Sequence, residues 1–326
     1  MKVTSANIRM WARLGQRGSF FGAALPEIAK EKKNLKLLTA DVATLAGMTT
    51  FQKKFPEKFF NVGIAEQNMI GIAAGFAMAG DCVFASTYAS FIAVRSLEHI
   101  RQHLSHMKLN VKVVGFSAGT IMAKSGISHW ATEDIAFMRA LPRLEIFSPA
   151  DALEAVKIAE YAASVTTPMY IRISGGPNCP IVYKEDYDFQ PGKLVTLREG
   201  EDVGIIATGL MVNESLTASN ILKENGISAA VYNMHTIKPI DEQGLKNIFD
   251  KHKLIVTVEE HNVTGGLGSA VAEFKSTLNN TPRQIFIGVS DFLDTAGSHK
   301  YVLDVLGLTA EKIAAKIKDE WSNCNA

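Results

Sequence analysis

Charge imbalance is the first thing this sequence lacks. Thirty-four basic side chains face 33 acidic ones, for a net charge of +1. No run of one sign is long enough to make a nucleic-acid or anionic-membrane surface. Cysteine is scarce as well. Cys82, Cys179 and Cys324 are odd in number and scattered, which excludes a disulfide framework or a zinc ribbon and fits a reducing cytoplasm. Long apolar runs are missing too, since the most apolar stretch, residues 69–78, is too short to span a bilayer. Residues 1–7 have no apolar core for a signal peptide. These absences predict a soluble cytoplasmic protein that binds neither nucleic acid nor membrane.

What is present is an alternation of strands and helices over 326 residues, a length that exceeds one typical core and predicts two domains. Helical spacing covers residues 20–30. Residues 35–40 read as a buried strand ending at Asp41, at the edge where open parallel sheets bind ligands. Residues 53–61 read as a polar connection broken by proline. A helix beginning at Glu66 follows, then a strand over 82–85, a long helix over 87–107 and a strand over 111–116. Residues 117–128 are rich in Gly and Ser and read as a functional loop. Helices over 133–139 and 151–163 alternate with strands over 144–147 and 169–173. After a linker over 175–200, the pattern resumes with strands at 203–207, 228–232, 254–258 and 284–289, and helices at 213–225, 241–250, 269–277 and 310–318. The fold class is therefore α/β, with two mostly parallel sheets flanked by helices, divided into residues 1–190 and 191–326. No internal repeat accompanies it.

Three segments carry chemistry. Glu66 opens the run Glu66-Gln67-Asn68-Met69-Ile70-Gly71-Ile72-Ala73-Ala74-Gly75, whose small residues allow close backbone approach and place the carboxylate at the mouth of a buried helix. Burial disfavours the charged form of such a group, so it is either satisfied by a structural bond or poised to exchange a proton with a ligand. Tyr88 and Phe91 put two aromatics on one face at a helix start. His129 closes the flexible loop in Ser128-His129-Trp130. Each of the latter two signals, taken alone, is more often structural.

Together with Gly63-Ile64-Ala65-Glu66-Gln67-Asn68-Met69, Thr236-Ile237-Lys238-Pro239 and Gly265-Gly266-Leu267-Gly268, they resemble the transketolase family over nearly the whole chain. The resemblance implies a pyrimidine-binding domain followed by the family's C-terminal domain. It also implies thiamine diphosphate as cofactor, transfer of a two-carbon ketol unit between sugars, and roles for particular residues. Glu66 corresponds to the carboxylate that bonds the pyrimidine N1′ and favours the imino tautomer of the cofactor's own amino group, which works best in a dry pocket. Tyr88 and Phe91 correspond to the aromatics that stack on the aminopyrimidine. Asp41 falls where the family lines the cofactor cleft. His129 corresponds to the histidine near the reacting carbons of the donor sugar.

Departures from the pattern are as informative. The family anchors the cofactor diphosphate through a metal held by Gly-Asp-Gly on a separate domain. That motif does not occur here, and Gly80-Asp81-Cys82 is the nearest approach. The expectation is therefore one subunit of a split transketolase, inactive alone. Its partner is an N-terminal subunit that carries Gly-Asp-Gly and Mg²⁺ (or Ca²⁺), in a heterotetramer. On the substrate side, Ser117, Lys124 and Ser125 stand where the family has a His, a Glu and an Asp. Gly175 replaces one phosphate-gripping Arg, and Gly18, next to Arg17, aligns with another. Hydrogen bonds to charged groups are worth roughly 1.5–3 kcal/mol each, so these losses predict a sugar other than the ordinary sugar phosphates, with a different anionic group such as a sulfonate or with none. A 1-deoxyxylulose-phosphate-synthase-like enzyme, a 2-oxo acid dehydrogenase β-subunit-like enzyme and a non-catalytic scaffold of the same fold are the alternatives.

Overall fold

The computed structural model describes residues 1–291, 293 and 296–324. In chain order the strands are β1 (Leu35–Thr39), β2 (Phe59–Asn61), β3 (Cys82–Tyr88), β4 (Val111–Phe116), β5 (Glu145–Phe147), β6 (Met169–Ile173), β7 (Val195–Arg198), β8 (Val203–Ala207), β9 (Ala229–Asn233), β10 (Thr236–Lys238), β11 (Leu254–Asn262) and β12 (Arg283–Val289). The runs of Val, Ile, Leu and Phe that form β3, β4, β6 and β8 are buried along almost their whole length. Such continuous burial belongs to parallel strands covered on both faces.

One sheet has the order β10-β5-β6-β4-β3-β1-β2 and the other β12-β11-β8-β9-β7. All pairings are parallel except β10 with β5 and β7 with β9. β10 comes from late in the chain, yet it closes the far edge of the first sheet. The two sheets are thus joined by backbone hydrogen bonds as well as by side chains. Buried Arg172 on β6 adds a link, bonding Asp134 and the carbonyls of Ala131 and Glu260.

Several expectations shift. β3 runs on through Thr87 to Tyr88, because β4 pairs with it up to Tyr88↔Phe116 and that ladder outweighs the local helical pattern. The helix expected over 87–107 is broken into Ala89–Arg95, Leu97–Ile100 and a π-helical segment Arg101–His106. The connection at 53–61 ends in β2, which pairs with β1, and the region read as linker contains β7. An N-terminal helix, Ser5–Arg17, precedes the first expected one. The helix Glu66–Met78 is not buried all round. Met69, Ile70, Ala73 and Ala74 face the sheet, whereas Met78 is 67% exposed and the positions of Gly71 and Gly75 open onto empty space. Among the described residues no helix is long and apolar enough to cross a membrane.

Candidate active site

The carboxyl ends of β1, β3 and β4 lie side by side in the first sheet, and the sequence-derived residues gather at that edge. Asp41 follows β1 in the left-handed region, at φ 60°. Its carboxylate accepts from Asn61 Nδ2 at 2.8 Å, and its own N–H donates to Asn61 Oδ1 at 3.0 Å. The same Asn61 oxygen receives Gly63 N–H at 3.1 Å. Asp41 thereby holds the turn that leads into Glu66.

Glu66 is the first residue of its helix and only 6% exposed. A carboxylate there is favoured by the unpaired N–H groups of the helix start. Its Oε1 accepts from Arg95 Nη1 at 3.0 Å. The Arg95 guanidinium in turn lies over Phe91, 3.9 Å from the ring centroid, so one side chain touches both groups. Sequence reading did not single out Arg95. The available signal was its spacing, four residues after Phe91 on one helix face.

Tyr88 ends β3 and Phe91 lies in the helix that follows. Their rings are 5.6 Å apart at 73°, and Tyr88 also packs on Phe116 at 4.8 Å. The loop folds back to bring His129 against both, 5.7 Å from Tyr88 and 5.3 Å from Phe91. Ser128 Oγ lies 3.0 Å from His129 Nδ1. Glu66 is thus linked through Arg95 to a cluster of three rings, Tyr88, Phe91 and His129.

Ser117 follows β4 at φ 54°, and Arg17 Nη1 donates to its hydroxyl at 3.5 Å. Burial pushes the Arg17 guanidinium below its ordinary value, an effect opposed by Tyr88. Arg17 thus contacts Ser117, on the loop that leads to His129. Lys124 and Ser125 are exposed on the turn Ala123–Ser125. At Gly175 the space is taken, since an added Cβ would lie 2.8 Å from the Gln16 side chain. Gln16 Oε1 accepts from the N–H groups of Ser174 and Gly175, and its Nε2 donates to Pro149 O.

The loop after Ser117 is anchored from the second sheet. Glu260 Oε1 accepts from Thr120 N–H at 2.8 Å, from Thr120 Oγ1 at 2.5 Å and from His299 Nε2 at 2.7 Å. Next to it, Glu259 accepts from Leu267 N–H and Gly268 N–H at the start of the helix Leu267–Lys275. Burial pushes Glu259 up to about 7, against the pull of those two N–H groups, and pushes His261 down to about 4. Among the described residues no three His, Cys, Asp or Glu side chains converge as metal ligands do.

Residues 17–176 match the family described as the transketolase pyrimidine-binding domain, and residues 192–313 match the transketolase C-terminal domain. The chain is 35% identical over 295 residues to an apulose-4-phosphate transketolase subunit of Phocaeicola vulgatus, covering 90% of this chain and 93% of that one. It is 35% identical over 289 residues to the 6-deoxy-6-sulfo-D-fructose transketolase subunit of a Clostridium species, covering 89% of each. A solved structure described as a split-gene transketolase, inactive β4 tetramer, superposes with a TM-score of 0.85 at 39% identity, over 95% of this chain and 98% of that one. The chain therefore belongs to the transketolase family and spans its pyrimidine-binding and C-terminal domains.

Proposed function

We propose that this chain is the pyrimidine-binding subunit of a split transketolase that acts in the cytoplasm, with its two domains dividing near residue 190. It transfers a two-carbon ketol unit from a ketose to an aldose. The observation that carries this reading is the convergence of buried Glu66 with Tyr88, Phe91 and His129 at one sheet edge. That donor set suits an aminopyrimidine, because a carboxylate accepts from its ring edge while aromatic rings cover its plane. When bound, thiamine diphosphate supplies a nucleophilic carbon for attack on the ketose carbonyl. Glu66 holds a proton at the pyrimidine edge, Tyr88 and Phe91 exclude water from it, and His129 moves a proton at a sugar oxygen.

In this reading Mg²⁺ and the diphosphate are bound by a partner subunit that carries Gly-Asp-Gly, a motif not found in residues 1–326. The open face of the helix Glu66–Met78, with Met78 67% exposed and open space at Gly71 and Gly75, and with Ile64 76% exposed just before the helix, supports assembly there, in a heterotetramer. Exposed apolar surface of this kind marks interaction sites.

For the substrate, the reading is a sugar other than the ordinary pentose phosphates. Gln16 fills the space beside Gly175, Arg17 bonds Ser117, and in this reading Ser117, Lys124 and Ser125 stand in place of the family's substrate-side His, Glu and Asp. The name of one relative, a 6-deoxy-6-sulfo-D-fructose transketolase subunit, supports a sulfonated sugar, whereas that of the other, an apulose-4-phosphate transketolase subunit, keeps a phosphate. Reconstitution with the Gly-Asp-Gly partner, followed by parallel assays with xylulose and ribose phosphates, apulose-4-phosphate and sulfosugars, tests it. A preference for xylulose and ribose phosphates would overturn the substrate reading. Absence of ketol transfer from every donor would overturn the activity.

A further inference from the structure

Arg95 terminates the helix Ala89–Arg95, and its carbonyl accepts from Gln67 Nε2 at 2.9 Å. The backbone is therefore held from the Glu66 helix, while the side chain is 49% exposed. The guanidinium sits 3.9 Å from the Phe91 centroid and 3.0 Å from Glu66 Oε1, whose carboxylate is only 7% exposed. Planarity, electron delocalisation and N–H donors along one edge are what let a guanidinium stack on an aromatic face and bond a carboxylate at once. An aminopyrimidine presents the same three properties.

We infer that Arg95 is an internal competitor for the pyrimidine half of the site. It occupies a face of Phe91 and an oxygen of Glu66 that the aminopyrimidine requires, so its side chain must swing outward for the cofactor to enter. This rests on the thiamine reading above. The consequence is a built-in penalty on cofactor binding, set by the strength of the Arg95 contacts. The chain alone is thereby biased toward the self-occupied arrangement, and full occupancy requires the additional anchoring of a partner.

The test is a titration of the full-length chain with thiamine, which carries the aminopyrimidine without the diphosphate. Ligand-observed NMR reads the dissociation constant for the wild type, Arg95→Ala, Arg95→Gln and Glu66→Ala, and circular dichroism verifies that each is folded. Arg95→Ala is expected to bind roughly 3- to 30-fold more tightly than the wild type, the combined strength of a half-exposed ion pair and a cation–π contact. Arg95→Gln, which keeps an N–H donor but loses the charge, falls between them, and Glu66→Ala loses binding. Equal or weaker binding by Arg95→Ala, with wild-type binding intact, overturns the competitor role and leaves the cofactor site standing. Absence of thiamine binding by every form removes both.

Discussion

Glu260 and His299 meet across the base of the site loop, Oε1 to Nε2 at 2.7 Å, with the carboxylate 2% and the imidazole 23% exposed. The same carboxylate oxygen holds Thr120, three residues beyond Ser117. A loop rich in Gly and Ser is in this way ordered from the second sheet.

The pair has a pH signature. Burial alone would lower His299, but the Glu260 carboxylate, with a smaller pull from Glu214, outweighs it and raises the group above its ordinary 6.5. Burial likewise pushes Glu260 up, but His299 and Thr120 together hold it below 4.5. The His299 contribution is fully present below 6.5 and fades as pH rises through its folded value. The Glu260 contribution is present above 4.5 and fades as pH falls through its own. Thermal unfolding across pH is expected to show His299→Gln destabilised by roughly 1.5–3 kcal/mol between about pH 5 and 6.5, with the gap narrowing in alkaline buffer. A gap independent of pH would mean that the pair is not ionic.

In the reconstituted complex, Glu66→Gln is expected to lower kcat by roughly 10²- to 10⁴-fold, the range for a positioned proton-transfer group. Its unfolding midpoint stays near that of the wild type, since the bond to Arg95 is half-exposed. Unchanged turnover would take Glu66 out of the chemistry.

Arg17→Ala is expected to raise KM for an anionic sugar roughly ten- to a hundredfold, the loss of one hydrogen bond to a charged group. An uncharged sugar should be affected far less. If steady-state kinetics show KM values that move together for both, Arg17 supports the fold and does not grip substrate.

Arg172 and Asp134 form a pair that is almost wholly buried, Nε to Oδ2 at 2.9 Å. Asp134→Ala is expected to cost roughly 3–5 kcal/mol in chemical denaturation, because it strands a buried cation. Asp134→Leu combined with Arg172→Met recovers only part of that, since the carbonyls of Ala131 and Glu260 lose their donor. A double variant as stable as the wild type would show that those two bonds contribute nothing.

Much of this was legible in the sequence alone. Most of the strands and helices, the Glu66 helix start and the ring-bearing residues Tyr88, Phe91 and His129 rest on local signals: apolar periodicity, small-residue density and motif spacing. Family membership follows from the same motifs. Tertiary structure decided the rest. Tyr88 belongs to a strand because β4 continues the ladder beside it, and β10 leaves its own half of the chain to pair with β5. Arg95 reaches Glu66 across 29 positions, Gln16 reaches Gly175 across 159, and His299 reaches Glu260 across 39. Each is a polar contact between segments remote in sequence, chosen by which donor and acceptor the packed sheets bring within about 3 Å. A residue's own neighbours along the chain do not encode that choice, since hydrogen-bond partners are fixed by distance in space and periodicity speaks only for the face a side chain takes.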